Sequence, residues 1–127
     1  LYMETDRMIF YRYDDIERIG PDGTIHIEIT EEKFYFVKET PKGYWITDRW
    51  YAIPDFNMDE KTINYNYCRW VSKTAIKRFA YPDRDQAFES FIKRKERQIK
   101  ILRSNLRFAE EALETALTKN IVGGWDE

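Results

Sequence analysis

Residues 83–122 read DRDQAFESFIKRKERQIKILRSNLRFAEEALETALTKNIV, a run that contains neither glycine nor proline. Its apolar residues recur at intervals of three and four, which is the spacing of one face of an α-helix. Asp83 is suited to cap the first turn, with Gln86 three residues later, and Gly123-Gly124 marks the end. The run therefore predicts one long amphipathic helix that begins directly after Pro82.

The apolar stripe of this helix has a heptad spacing, which is typical of helices that pair with one another. One set of positions, seven residues apart, is filled by Ile92, Ile99, Leu106 and Leu113. The complementary set is filled by Leu102, Ala109 and Ala116, and Lys95 interrupts it once.

The length of the helix predicts that part of this stripe has no cover within its own chain. The helix would be about 55 Å long, whereas a compact domain of this size is only about 35 Å across. We therefore expect pairing with the same helix of another copy. The predicted oligomer contacts are Ile92, Ile99, Leu102, Leu106 and Leu113. The alternative is a helix that breaks near Ser104-Asn105 and folds back onto the rest of the domain.

The region before Pro82 is rich in β-branched and aromatic residues that alternate with polar ones, as the strands of a sheet do. Ile25, Ile27 and Ile29 alternate with His26 and Glu28, which predicts a strand with one buried face. Turns are predicted at 21–23 and 40–43, and a long surface loop at 48–62. The predicted strands are 8–13, 25–29, 34–38, 44–47 and 65–71, with a short extended exit at 77–81.

These elements predict a single domain over residues 1–127 with an α+β fold. Its sheet region, 1–82, would hold about five antiparallel strands, and its helix would span 83–122. Composition agrees with a globular protein, because 43% of the 127 residues are hydrophobic and 17% are aromatic. A net charge of −2 means that an electrostatic partner must be met by a local patch.

Two further features bear on where the protein works. Cys68 is the single cysteine, so the chain forms no internal disulfide. No apolar run approaches the roughly 20 residues that span a bilayer. The sequence therefore predicts a cytoplasmic protein that does not associate with membranes and needs no cofactor.

The sequence offers little for catalysis. His26 is the only histidine, so a nucleophilic pair would need Cys68 beside it, and both residues also fit ordinary structural positions. Acidic pairs such as Glu31-Glu32 adjoin turn signals and are interpreted as solvated charge. The chain has no HExxH, CxxC or GxSxG motif and no glycine-rich phosphate loop. We therefore predict that the protein is not an enzyme and binds no metal.

A basic cluster on the predicted helix points to an anionic ligand. It comprises Lys93, Arg94, Lys95, Arg97, Lys100, Arg103 and Arg107, opposed only by Glu96. Arginine forks hold phosphates and aromatic rings stack on bases. The predicted ligand contacts are Lys77, Arg78, Phe79, Tyr81, Arg94 and Arg97, with Trp50 from the loop. The cluster is also compatible with a solvated helix surface, or with pairing to Glu110, Glu111 and Glu114 of an antiparallel partner helix.

Four motifs resemble a family of small proteins that bacteriophages and prophages encode. They are ETPKGYWI (39–46), WVSK (70–73), KRFAYP (77–82) and FIxRKxRQI (91–99). The resemblance covers roughly residues 34–117, and the segment 48–65 departs from it. It implies a phage protein that acts in the cytosol of a bacterial cell, and it supplies no catalytic residues.

The resemblance suggests a function by analogy. Small phage proteins that are not enzymes often antagonise host defence, and one strategy is an oligomeric sponge that sequesters a nucleotide immune signal such as a cyclic ADP-ribose derivative. Lys77, Arg78, Arg94 and Arg97 would then contact phosphates, while Phe79, Tyr81 or Trp50 would stack the base. One alternative is an inhibitor that binds a host defence enzyme through the aromatic residues of the 48–62 loop. Another is a nucleic-acid-binding accessory protein, which the overall acidity disfavours.

Overall fold

The structure is a computed structural model that describes residues 8–49 and 63–121. These residues form an antiparallel sheet followed by one long helix, which confirms the predicted α+β fold. The elements are β1 (Ile9–Ile19), β2 (Ile25–Thr40), β3 (Gly43–Thr47), β4 (Arg69–Ser72) and α1 (Arg84–Ile121), with a 3-10 turn at Tyr65–Tyr67 before β4. Each strand pairs with the next one in the sequence, which gives the order β1-β2-β3-β4.

Over the described ranges the sheet has four strands, close to the predicted five, but their lengths differ from the prediction. Residues 25–40 form one strand, because Glu31 and Glu32 continue the pairing with β1 and make no turn. β4 begins only at Arg69, since residues 65–67 form the 3-10 turn. The predicted exit strand contributes an isolated bridge between Tyr81 and Tyr11.

β1 and β2 form a hairpin that extends beyond β3, and the part farthest from β3, around residues 14–30, is called the outer ribbon. Their register runs from Ile9 opposite Tyr35 to Ile19 opposite Ile25, whereas β3 pairs with β2 only between Tyr35 and Thr40. Among the residues that the structure describes, no third strand pairs with this part of the hairpin, and the predicted buried face is wrong there. Ile25, Ile27 and Ile29 are 62%, 59% and 52% exposed.

β3 is short and closely packed against its neighbours. A β-bulge near Phe36 shifts its register with β2, and the hydroxyl of Thr40 accepts a hydrogen bond from the Gly43 amide at 3.1 Å. A Cβ at Gly43 would collide with the carbonyl oxygen of Val71 and the indole of Trp70. The predicted hairpin turn at 40–43 therefore also needs a glycine where β3 meets β4.

The core of the first unit lies on one face of the sheet. Its buried members are Phe10, Phe34, Ile46, Val71 and Ala80, and Met8, Tyr44 and Phe79 pack against them. The contributing residues come from all four strands and from the segment between β4 and α1. This segment is fixed to β1 by the bridge at Tyr81, so the sheet and the helix start are joined by backbone hydrogen bonds.

The start of α1 is capped by Asp83, as the sequence predicts, and it also contacts the sheet. The side chain of Asp83 accepts a hydrogen bond from the Asp85 amide at 2.8 Å. Arg84 forms an ion pair with Glu31 at 3.1 Å, and the ring of Phe88 lies 5.3 Å from that of Tyr13. These contacts attach the first turns of the helix to β1 and β2.

The chain divides into two compact units, Leu1–Phe91 and Ile92–Glu127, and α1 belongs to both. The helix runs without interruption through Ser104-Asn105, so the alternative with a broken helix is wrong. In the second unit the apolar stripe is exposed. Its members Ile92, Ile99, Leu102, Leu106, Leu113 and Leu117 are between 47% and 61% exposed.

Candidate functional site

The residues predicted to bind the ligand form two groups, which belong to different units. Lys77, Arg78, Phe79 and Tyr81 lie in the segment between β4 and α1, in the first unit. Arg94 and Arg97 lie on α1, in the second unit. Trp50 lies outside the described residues, as does most of the predicted 48–62 loop.

Tyr81 is held by the fold on both its backbone and its side chain. The Tyr11 amide donates a hydrogen bond to the Tyr81 carbonyl at 2.6 Å, and the Tyr81 amide donates one to the Tyr11 carbonyl at 3.0 Å. The Tyr81 hydroxyl donates to the Ile76 carbonyl at 3.0 Å and accepts from the Arg78 amide at 3.3 Å. The Arg78 guanidinium donates to the Ala75 carbonyl at 2.8 Å. These bonds give the segment a fixed shape with Lys77 exposed at its surface.

Phe79 is already stacked against cations of its own chain. The guanidinium carbons of Arg12 and Arg69 lie 4.3 Å and 4.2 Å from the centre of its ring. Arg12 also donates a hydrogen bond to the Phe79 carbonyl at 2.9 Å, and the ring of Phe34 meets that of Phe79 edge-on at 5.1 Å. A base that stacks on Phe79 would have to displace one of these arginines.

Four basic side chains of α1 lie along one face of the second unit. Lys93, Arg97, Lys100 and Arg107 follow one another at intervals of four, three and seven residues, which places them on one side of the helix. Arg103 lies beside them, and Glu96 is the one acid within this stretch. All of these side chains come from a single helix. The surface is therefore open, and a ligand would be held by charge more than by enclosure.

An open cavity of about 400 Å³ lies at the sheet in the first unit. Glu32, Asp48 and Arg69 bring charge to it, and Phe34 and Phe79 form part of its apolar wall. Arg12 lies opposite Glu32 in the register of β1 and β2, and its Nε contacts Asp14 at 2.9 Å. The remaining lining residues are Ile46, Thr47, Arg49, Asn66, Tyr67 and Cys68.

Glu32 is the titratable group of this cavity with the largest change in proton affinity. The pKa of Glu32 is raised from 4.5 to about 7, and the largest cause is its hydrogen bond with Asp14, which needs a proton between the two carboxyl groups. Burial and the charge of Asp14 act in the same direction, whereas Arg12 lowers the pKa. At neutral pH the group can therefore both donate and accept a hydrogen bond.

The interpretation of Glu31-Glu32 as solvated charge is thus wrong for Glu32. The two side chains point to opposite faces of β2, where Glu31 meets Arg84 and Tyr13 and Glu32 meets Asp14. The sequence does contain a signal for this cluster, because the charged residues Arg12 and Asp14 occupy alternate positions of β1 and so share one face of the strand. The pairing register brings Glu32 to Asp14, and no local pattern in the sequence specifies that register.

Cys68 and His26 have separate structural contacts. The thiol of Cys68 donates a hydrogen bond to the Asn64 carbonyl at 3.6 Å, and burial raises its pKa, which makes it a weaker nucleophile at neutral pH. His26 lies on the outer ribbon, where its Nε2 is 3.1 Å from a carboxylate oxygen of Glu28. Neither residue is placed as a nucleophile or as its base.

Two absences hold for the part of the chain that the structure describes. Within residues 8–49 and 63–121, no three histidine, cysteine or acidic side chains are grouped so that they could bind a metal ion. Across the same ranges, no helix combines the length and the apolar character needed to cross a membrane.

Comparison of the chain with protein-family models, with curated proteins and with solved structures gives no match. A functional proposal must therefore be argued from two surfaces: the basic face of α1 and the cavity at the sheet that contains Glu32.

Proposed function

We propose that this chain is a non-catalytic binding protein that sequesters a small nucleotide-type anion. The basic face of α1 would contact the phosphates, and the apolar stripe of the same helix would pair with a second copy. The setting suggested by the motif resemblance is a phage protein in the bacterial cytosol, where the ligand would be a nucleotide immune signal such as a cyclic ADP-ribose derivative. The carrying observation is the exposed basic face, Lys93, Arg97, Lys100 and Arg107.

The charge distribution along α1 supports an anionic ligand. Seven basic residues and one acid lie between Lys93 and Arg107, a local surplus of six positive charges in a chain whose net charge is −2. The acidic remainder of the chain makes wide binding to nucleic acid less favourable, because polyanions are attracted by the summed charge. A compact phosphate ligand needs only the local cluster.

The exposed apolar stripe supports self-association. Large apolar side chains on one helix face, with between 47% and 61% of their surface exposed, are costly to leave in water. Pairing of two such helices buries both stripes at once. An oligomer also raises the number of ligand sites per particle, which suits sequestration.

The first test is titration of the protein with a cyclic ADP-ribose derivative by isothermal calorimetry, with linear ADP-ribose and ATP for comparison. Arg97→Glu replaces a cation of the basic face by an anion, so we expect loss of binding. The affinity of the wild-type protein should also fall as salt rises, because the contacts are between opposite charges.

Lys42→Glu is the matched control, since it makes the same change of charge at an exposed residue of the turn between β2 and β3, which is a different element from the basic face. It should bind the nucleotide as the wild type does. Equal affinity of wild type and Arg97→Glu would contradict the proposed function. So would a wild-type protein that binds none of the three nucleotides.

A further inference from the structure

We propose that α1 pairs with α1 of a second copy in the antiparallel orientation, with the two-fold axis between Arg107 and Phe108. The inference rests on the self-association in the proposed function and specifies its geometry, but it does not depend on the ligand. Three observations carry it: the exposed heptad stripe, the separation of charge along the helix, and the position of Lys95.

The separation of charge selects the orientation. The basic cluster ends at Arg107, and three acids, Glu110, Glu111 and Glu114, come next before Lys119 in the last turn. A parallel pair would place the basic segment beside its own copy and would set Lys95 against Lys95 in the apolar seam. An antiparallel pair places the basic segment beside the acidic one, so that the same charges attract across the interface.

The heptad positions then limit the register. In the proposed alignment three kinds of apolar layer form, each of them twice by symmetry: Ile99 with Ala116, Leu102 with Leu113, and Leu106 with Ala109. Two of the three join a large side chain to a small one, which is compatible with close packing. Lys95 falls opposite position 120, which is an asparagine, and so lies outside the apolar layers.

The flanking charges agree with the same register. Arg103 faces Glu110 of the partner, and by symmetry Glu110 faces Arg103 of the partner. Moving one helix by a heptad toward the N-terminal half would set Glu96 against Glu110 and Arg103 against Arg103. It would also place Lys95 opposite Leu113 in the seam. The proposed register avoids all three of these unfavourable contacts.

The alignment leaves positive charge for a ligand. Lys100, Arg103 and Arg107 lie near the acidic segment of the partner, whereas residues 93–97 lie opposite residues 118–122, which contain no acid. The pairing would therefore use about half of the basic cluster, and Arg97 would lie outside the part that is used. Dimer formation would depend on Arg103 and ligand binding on Arg97, so the two can be tested separately on one helix.

Sedimentation equilibrium at low salt tests the pairing with three variants of the full chain. Arg103→Glu turns two attractions across the seam into two repulsions, so the dimer Kd should rise by about ten- to a hundredfold. The double variant Arg103→Glu with Glu110→Arg exchanges the charges and should restore the wild-type Kd. Arg97→Glu makes the same change of charge on the outer side of the helix and should leave the Kd unchanged.

Each outcome has a defined meaning. A monomeric wild-type protein, an Arg103→Glu variant that dimerises normally, or a double variant that stays monomeric would overturn the proposal. Circular dichroism of each variant shows whether α1 is still helical, so that a lost dimer is not confused with a lost helix. A wild-type dimer that follows the charge-exchange pattern but binds no nucleotide would uphold the pairing and reject the proposed function.

Discussion

At the scale of single residues, neighbours in sequence have opposite electrostatic surroundings. Glu31 accepts hydrogen bonds from Tyr13 and Arg84, and these partners lower its pKa. Glu32 meets Asp14 on the other face of β2, and its pKa is raised to about 7. Of these two adjacent residues, Glu31 is therefore stabilised in its charged form and Glu32 in its protonated form.

Glu32→Gln should make the protein less sensitive to pH. In the wild type, the folded state holds a proton on Glu32 between pH 4.5 and about 7 that the unfolded state releases, so stability falls as pH rises through this interval. Glutamine keeps a donor for Asp14 and does not ionise. We expect the stability of the variant not to decrease over this pH interval, and we expect the variant to melt at a higher temperature than the wild type at pH 8. Thermal unfolding at a series of pH values measures both.

Glu31→Gln is the neighbouring control and should have the opposite sign. The pKa of Glu31 is lowered in the folded state, so its contribution is present above the unfolded pKa and is lost as pH falls through the folded one. This variant should therefore be less stable than the wild type at pH 8. If Glu32→Gln also destabilises at pH 8, the shared proton is not a feature of the folded protein.

At the scale of elements, the sheet needs two of its glycines for different physical reasons. Gly43 joins β3 to both of its neighbours, and an added methyl group there would meet Val71 and Trp70. Gly23 lies in the β1–β2 turn at φ 82°, where nothing lies within 4 Å of an added Cβ. One glycine is needed for its size, and the other for its conformation.

Gly43→Ala should lower the free energy of unfolding by about 3 kcal/mol, because the methyl group forces β3 and β4 apart. Gly23→Ala should lower it by only about 1 kcal/mol, since the cost is the left-handed backbone at a single exposed position. Urea unfolding followed by fluorescence measures both values. A Gly43→Ala protein as stable as Gly23→Ala would mean that β4 can move away without loss.

At the scale of the whole molecule, the chain has two compact units, and one continuous helix takes part in both. The first unit contains the buried core, while the second exposes its apolar side chains. The stability of the sheet and the proposed self-association would therefore depend on different segments. A change in residues 92–121 should alter assembly without unfolding the sheet.

Ser104→Pro tests this division. Proline inside a helix removes a backbone hydrogen bond and costs about 3 kcal/mol, so the helix should break at this point. We expect the variant to be monomeric in sedimentation experiments while the near-ultraviolet circular dichroism from the aromatic core of the first unit is retained. Ser104→Ala keeps the helix and should remain associated. Loss of the near-ultraviolet signal in the proline variant would contradict the independence of the first unit.

The α+β class, the helix with its Asp83 cap and the exposed heptad stripe follow from the sequence by itself. They depend on local periodicity, on capping chemistry and on a run without helix breakers, all of which act over a few residues. The basic face of α1 follows in the same way, because side chains three and four residues apart share one side of a helix.

Only the tertiary structure decided the length of β2, the exposure of Ile25, Ile27 and Ile29, and the meeting of Glu32 with Asp14. An alternating strand has the same pattern whether a third strand covers it or not, so burial depends on where β3 ends. Strand register depends on pairing between distant segments, and a shift of one residue would send Glu32 to the other face. These features come from long-range contacts, and no repeating local pattern of residues specifies which distant segments meet.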